Sequence, residues 1–278
     1  MNPPGPCDTM HLFRPLLAEL LAVLRGLHAE DWQRPTAAGS WTVHDVAAHL
    51  LDGDLRKLAI VRDGHAVSPS GPIGSDRDLA RFLNALNAEG VAFGRRLSPR
   101  VLTDLLEIAG EWVAGFLESL PPDGPAYFPV SWAGESASLQ WMDTGREYTE
   151  RWHHQAQIRD AVGVRLLLES HWFDPVLDIS MRALPHALAA IGAPLGTALV
   201  VEVAGQTRQE WSLVREPSGW ALFTGRAARA ATTVSMTGDT AWRLFFNALH
   251  PDAARLRVEV SGAWELGDAL LRARAVIV

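Results

Sequence analysis

The sequence predicts an α+β protein, a larger helical part followed by a smaller domain built on an antiparallel sheet, and three observations predict it. Apolar residues recur at three- and four-residue spacing up to about residue 192. After Pro194 the period changes to two, in short runs rich in β-branched residues. Short turn clusters separate the segments, apart from one longer loop over 121–138 whose aromatic residues suit an ordered crossing.

Taken in order, the helical pattern predicts helices over 9–28, 42–63, 76–96, 99–120, 144–162 and 172–191. The second begins with Thr42 followed three residues later by Asp45, a capping box, with Trp41 and Val46 placed for the hydrophobic staple. Thr144 and Glu147 offer the same pair for the helix at 144. Strands follow over 198–203, 208–215, 220–224, 232–236 and 256–260, with Pro217-Ser-Gly219 as a hairpin turn. Helical spacing returns over 240–249 and 264–272. The expected domains are therefore 8–192, helical, and 197–278, α+β.

Composition narrows the function. A chain of 278 residues, 48% hydrophobic and 21% charged, holds enough apolar material for real cores. With 25 basic against 32 acidic residues, net charge −7, and no dense Lys/Arg run, nucleic acid is not an expected partner. The longest uncharged run, 187–201, is shorter than the ~20 residues of a membrane span and is broken by Gly192, Pro194 and Gly196. The first apolar segment carries Glu19 and Arg25, unlike a signal peptide. Cys7 is the sole cysteine, so no intrachain disulfide forms, and a reducing cytoplasm is the expected location. Glycine-rich phosphate loops are absent from the sequence.

Two stretches about a hundred residues apart carry the chemistry. In Trp41-Thr-Val-His-Asp-Val-Ala-Ala-His49 the last histidine falls about two turns inside a helix, and in Glu150-Arg-Trp-His-His154 the carboxylate and last imidazole stand at i and i+4, on one face. A carboxylate and an imidazole one turn apart grip a single divalent ion. A third donor from a facing helix, His49, completes a set that leaves coordination positions open for catalysis.

Each residue also has a plainer reading. His49 suits a buried helix histidine partnered by Asp45, and Glu150 suits an exposed ion pair with Arg146. His153, about 100° round the helix from His154, is expected at the surface or behind the ligands. Asp52, Asp54 and Asp160 read as solvated helix charges, with Asp52 also placed to orient a ligand. Trp132, Trp152 and Trp242 are the tryptophans that could border a pocket, although core is the expected place for each.

On these motifs the chain resembles the DinB-like metal-binding superfamily, and within it the mycothiol-dependent maleylpyruvate isomerase group. The carriers are Trp41-x-Val-x-Asp-Val-x-x-His49-Leu and Glu150-x-x-x-His154, joined by Thr232-Thr-Val-Ser-Met-Thr-Gly-Asp-Thr through Val258-Glu-Val-Ser-Gly. The resemblance implies a four-helix bundle followed by a sterol-carrier-like domain, with His49, Glu150 and His154 as zinc ligands and Trp41 as a structural residue. It implies a small-molecule substrate and a low-molecular-weight thiol, mycothiol or a similar one, as cosubstrate, in a monomer or homodimer. Gln157 stands where isomerase members often carry an aspartate, and Asn247-Ala-Leu-His-Pro lacks their Gly-Arg pair, which leaves Arg243, Arg255 and Arg257 as candidates for holding a substrate carboxylate.

Three functions compete at this point. The first is thiol activation for cis–trans isomerisation of maleylpyruvate-like diacids or for thiol transfer. The second is a non-thiol metalloenzyme, hydrolytic or with Fe2+ or Ni2+ on the same ligands. The third is a small-molecule or lipid binding protein with a structural metal.

Overall fold

The computed structural model describes residues 1–65, 68–69, 71–206 and 208–276. It is an α+β structure that divides by internal contacts into two compact units, neither continuous in sequence: Thr9–Tyr127 with Glu150–Leu166, and Met1–Asp8 with Phe128–Thr149 and Leu167–Val278. This division follows packing and differs from the two stretches 8–192 and 197–278, because helices after 167 pack with the sheet elements.

The helical unit contains α1 (Phe13–Gly26), α2 (Val43–Lys57), α3 (Asp76–Gly94), α4 (Pro99–Glu118) and the second half of α5 (Gln140–Val162). Its core is built from Leu20 and Leu24 of α1, Val46 and Ala47 of α2, Leu106 of α4 and Ile158 of α5. After Lys57 the chain continues to Arg62 as a wider π-type turn, so the helix expected to residue 63 is present with a change of pitch. α2 and α3 approach closely because Gly90 and Gly94, one turn apart, face Asp52 and Ala48, leaving no space for a Cβ at either glycine.

The other unit holds α6 (Ser170–Met181), α7 (Leu184–Ala187), α8 (Gly238–Phe245), α9 (Pro251–Ala254), α10 (Trp264–Leu271) and a five-stranded sheet. The strands are β1 (Ala198–Ala204), β2 (Arg208–Glu216), β3 (Gly219–Thr224), β4 (Thr232–Thr237) and β5 (Val258–Gly262), in the order β3-β2-β1-β4-β5. Three pairings are antiparallel, as expected, whereas β1 and β4 run parallel with Val201 opposite Val234. The parallel pair follows from the connection: β1 leaves through a hairpin, and the chain returns to its other edge in the same direction. β1 is central and buried from Ala198 to Val203, which explains its nearly continuous apolar run. Gly219, at φ 139°, takes the left-handed position in the β2–β3 turn.

Among the described residues no helix is long and apolar enough to cross a membrane.

Candidate metal centre

Helix α2 starts where the sequence places it. The Asp45 backbone N–H donates to the Thr42 hydroxyl at 3.3 Å and the Thr42 N–H donates to the Asp45 carboxylate at 3.2 Å, so the capping box is complete. Arg95 donates twice to the same carboxylate, at 2.8 and 2.9 Å, and holds buried Asp45 below the usual carboxylate range. Asp45 is thus committed to the helix start and to Arg95. Two turns on, the His49 ring lies 5.0 Å from the Trp41 ring, centroid to centroid, and its Nδ1 is buried with no hydrogen-bond partner.

Helix α5 begins at Gln140, earlier than expected. Thr144 lies inside it and its hydroxyl accepts from Gln140 Nε2 at 3.1 Å, so Thr144 is not the cap. Arg146 donates to Asp143 at 2.5 Å and to Glu147 at 2.6 Å. Along the same helix Trp152 through Arg159 are all buried, an unbroken run that leaves no outward face. That is why His153 is 4% exposed, which removes the surface position from the two expected for it: 100° round a helix enclosed on every side still points into protein.

The helix is tied down by ions. Arg151 pairs with buried Asp54 and its guanidinium lies 5.3 Å from the Phe13 ring, while Arg159 donates to Glu19 at 2.6 Å. Asp54 is therefore a buried partner and not a solvated charge. Asp52 is half-buried with Arg56 at 2.8 Å, and burial raises its pKa; Asp160 is exposed, as expected.

These elements set Glu150 and His154 side by side and the His49 ring against that of His154. His154 Nε2 is 3.6 Å from the Glu150 carboxylate, and the His49 and His154 rings meet edge-on with centroids 4.6 Å apart. Among the described residues the set whose donor atoms all lie within 4.8 Å of one another is Glu150, His153 and His154. His49 is outside that set and touches it through its ring contact with His154, whose ring centroid is also 3.9 Å from that of His153. His153 is thus a donor that helical-wheel reasoning had set aside. Gln157 is the second residue whose role was missed: its amide oxygen is 2.8 Å from His154 Nδ1, with both side chains buried.

The Gln157 oxygen only accepts, so the proton of neutral His154 sits on Nδ1 and the lone pair on Nε2. That lone pair then faces a carboxylate oxygen, another acceptor, at 3.6 Å. Burial lowers the His154 pKa to about 4, opposed by the Gln157 hydrogen bond, and burial followed by the charges of His154 and Arg56 lowers that of His49 well below the ordinary value. The imidazoles are therefore neutral at pH 7, the form in which histidine binds metals.

The remaining candidates lie apart from this set. Trp132, Trp152 and Trp242 are buried. Arg243 donates to Asp239 at 3.0 Å, Arg257 lies 3.7 Å from the same residue, and Arg255 pairs with Asp268.

Residues 13–159, more than half of the chain, match the family model described as the mycothiol maleylpyruvate isomerase N-terminal domain. The crystal structure of a mycothiol-dependent maleylpyruvate isomerase is similar over 91% of this chain and 91% of that one, with a TM-score of 0.54 and 15% identity. A point mutant of a mycothiol-dependent maleylpyruvate isomerase gives 0.53 and 14% over the same shares. A sterol carrier protein domain 2 from Helicoverpa armigera is similar over 32% of this chain and 78% of that one, with a TM-score of 0.27 and 14% identity. No curated protein matches. At such identities the likeness to the isomerase structures shows a common fold.

Proposed function

The chain belongs to the family of the mycothiol maleylpyruvate isomerase N-terminal domain, and from that premise we propose that it is an enzyme that uses a low-molecular-weight thiol, mycothiol or a close relative, at a divalent metal held by His49, Glu150 and His154. One observation carries the reading: two acceptors, His154 Nε2 and the Glu150 carboxylate, face each other at 3.6 Å. A cation between them would be held by both. Ligands about 2.1 Å from one ion stand about 3.4 Å apart across a tetrahedral angle, close to the spacing seen. His49, whose Nδ1 has no hydrogen-bond partner and whose ring meets that of His154, would be the third donor.

Zinc, or alternatively Fe2+ or Ni2+, would supply a Lewis acid there that brings a thiol into its nucleophilic form near neutral pH. The protein's own part is to present neutral imidazoles, to fix the donor atom of His154 through Gln157, and to enclose the helix that carries them. In the isomerase version the thiolate adds to one carbon of a cis double bond in a maleylpyruvate-like diacid. A C–S bond forms and the alkene becomes a single bond that rotates. Elimination then breaks the C–S bond and restores a trans double bond and the thiolate.

A second reading, transfer of the thiol to an electrophile, is favoured by the arginines: Arg243, Arg255 and Arg257 each already pair with an aspartate, which weakens the case that one of them holds a substrate carboxylate. The test is metal analysis of protein purified without added metal, followed by assays with maleylpyruvate and mycothiol. Thiol-dependent isomerisation is expected. Thiol consumption by an alkylating electrophile without isomerisation selects the transfer reading, and turnover without thiol, or full metal content in the His154→Ala variant, overturns the proposal.

A further inference from the structure

Within the unit that carries the sheet, a cavity of about 520 Å³ is bordered by Cys7, by Asp174 and Asp178 of α6, and by Trp211 and Thr224 of β2 and β3. That volume suits a small organic molecule. Its walls are set by local structure. Asp174 and Asp178 stand one turn apart on α6, hence on one face, and Trp211 pairs with Thr224 across the two strands. The N-terminal stretch brings Cys7 there: the Asn2 carbonyl accepts from the Thr224 N–H at 2.9 Å, and the Gly5 carbonyl accepts from Arg182 at 2.6 Å.

The charges round this cavity balance at every residue but one. Asp178 accepts from Arg182 at 2.8 Å. Glu210 and the buried Glu202 share two guanidiniums, those of Arg208 and Arg226. Asp174 makes no ion pair among the described residues, and its partner is the neutral amide of Gln209, whose Nε2 donates to it at 2.9 Å. Burial raises its carboxyl pKa against the pull of that hydrogen bond, the direction a carboxylate takes when water is withdrawn and no cation replaces it.

We propose that this cavity binds a small organic cation, a protonated amine with a flat apolar body, its ammonium on Asp174 and its body against Trp211. An ammonium gives this carboxylate the counter-charge that the protein does not, in a charge-assisted hydrogen bond. A carboxylate offers about four lone-pair sites, so the Gln209 bond leaves room for it. Pro175 and the Trp211 ring supply the apolar part of the wall, and an aromatic face also attracts a cation. An anion is disfavoured, because the guanidinium on the wall, Arg208, is already held by Glu202 and Glu210. The site shares no residue with the metal centre and does not rest on the function proposed for it.

Isothermal titration of the full chain with phenethylammonium tests this, beside phenethyl alcohol, which has the same body without the charge. The cation is expected to bind in the millimolar range or tighter and the alcohol about tenfold or more weakly. Asp174→Asn keeps an acceptor for Gln209 and removes the charge; it should weaken the cation by a similar factor with circular dichroism unchanged. Cys7, the sole cysteine, reports the place: its slow alkylation by iodoacetamide, followed by mass spectrometry, should slow severalfold further when the cation is bound. No binding of phenethylammonium, or alcohol bound as well as the cation, would overturn the proposal on the parent protein alone. Binding that is indifferent to Asp174→Asn, or that leaves Cys7 alkylation unchanged, would overturn it by placing the ligand elsewhere.

Discussion

The Nδ1 atom of His154 and the amide oxygen of Gln157, 2.8 Å apart and both buried, form the contact on which the candidate centre turns. An amide oxygen cannot give a proton, so the imidazole must, and its other nitrogen is left as a donor of electrons toward Glu150. Being neutral, Gln157 fixes this tautomer without adding a second negative charge beside the Glu150 carboxylate.

Replacing Gln157 by Leu removes the acceptor while keeping similar bulk. The expected result is a mixed His154 tautomer population, seen in the nitrogen NMR shifts of the ring, and metal affinity lower by about 10–100-fold. Gln157→Glu keeps an acceptor and should preserve the tautomer. If Gln157→Leu leaves both the tautomer and the affinity as in the parent, the contact is incidental.

His49 and His153 compete for the place of third donor. His49→Ala should lower metal content, since the lost Nδ1 has no other hydrogen-bond partner, while His153→Ala should leave most of the metal bound. Helical content should be unchanged by His49→Ala, because a structural ion would take the fold with it and a catalytic one does not. The reverse pattern, metal kept in His49→Ala and lost in His153→Ala, would move the centre onto α5 alone.

Acid should destabilise the metal-free protein through the same imidazoles. The folded-state pKa of His154 is about 4 against 6.5 for the free side chain, so between those values the unfolded chain binds more protons than the folded one. The stability in question is whole above pH 6.5 and is lost as pH falls toward 4, a change on the order of 3 kcal/mol for this group. His49, lowered by burial, acts in the same direction. Thermal melts of metal-free protein should show a steep fall over that window, shallower in a His154→Gln variant; a flat profile from pH 7 to 4.5 contradicts neutral burial.

Much of this was legible in the residues. The capping box at Thr42 and Asp45 sets the start of α2 and hence the depth of His49, and four strands lie within a residue of where the two-residue period puts them, the fifth two residues later. Glu150 and His154 are adjacent because i, i+4 spacing on one helix survives any tertiary arrangement, whereas the contact of His49 with the His154 ring depends on how α2 packs against α5. Less visible was what depends on enclosure. Asp54 reads as a solvated charge and His153 as a group at the surface or behind the ligands, yet α5 is a polar helix run through protein, held by Arg151–Asp54 and Arg159–Glu19. Periodicity cannot report a helix buried on all sides with polar residues, since the pattern it looks for is a polar face turned to water. The one signal was the density of groups able to pair, Glu150 to Asp160, each needing a partner if buried.

The close contact between α3 and α2 should matter to the centre as much as to the fold. Gly94 faces Ala48, whose Cα would stand 3.2 Å from any Cβ added at residue 94 and whose own Cβ leaves no room at all. Ala48 adjoins His49, so pushing α3 away from α2 at this point moves the backbone that carries the imidazole. Gly94→Val should therefore destabilise the protein by about 1–3 kcal/mol, the range for overpacking a tight contact, and lower metal affinity although residue 94 touches no donor. Gly26→Ala is the control, a helix glycine with open space around its missing Cβ, and should leave metal binding as it is. If Gly94→Val melts lower yet binds metal with the parent affinity, the α2–α3 contact supports the bundle but does not position His49; if it melts as the parent does, the two helices are not packed as closely as Gly94 requires.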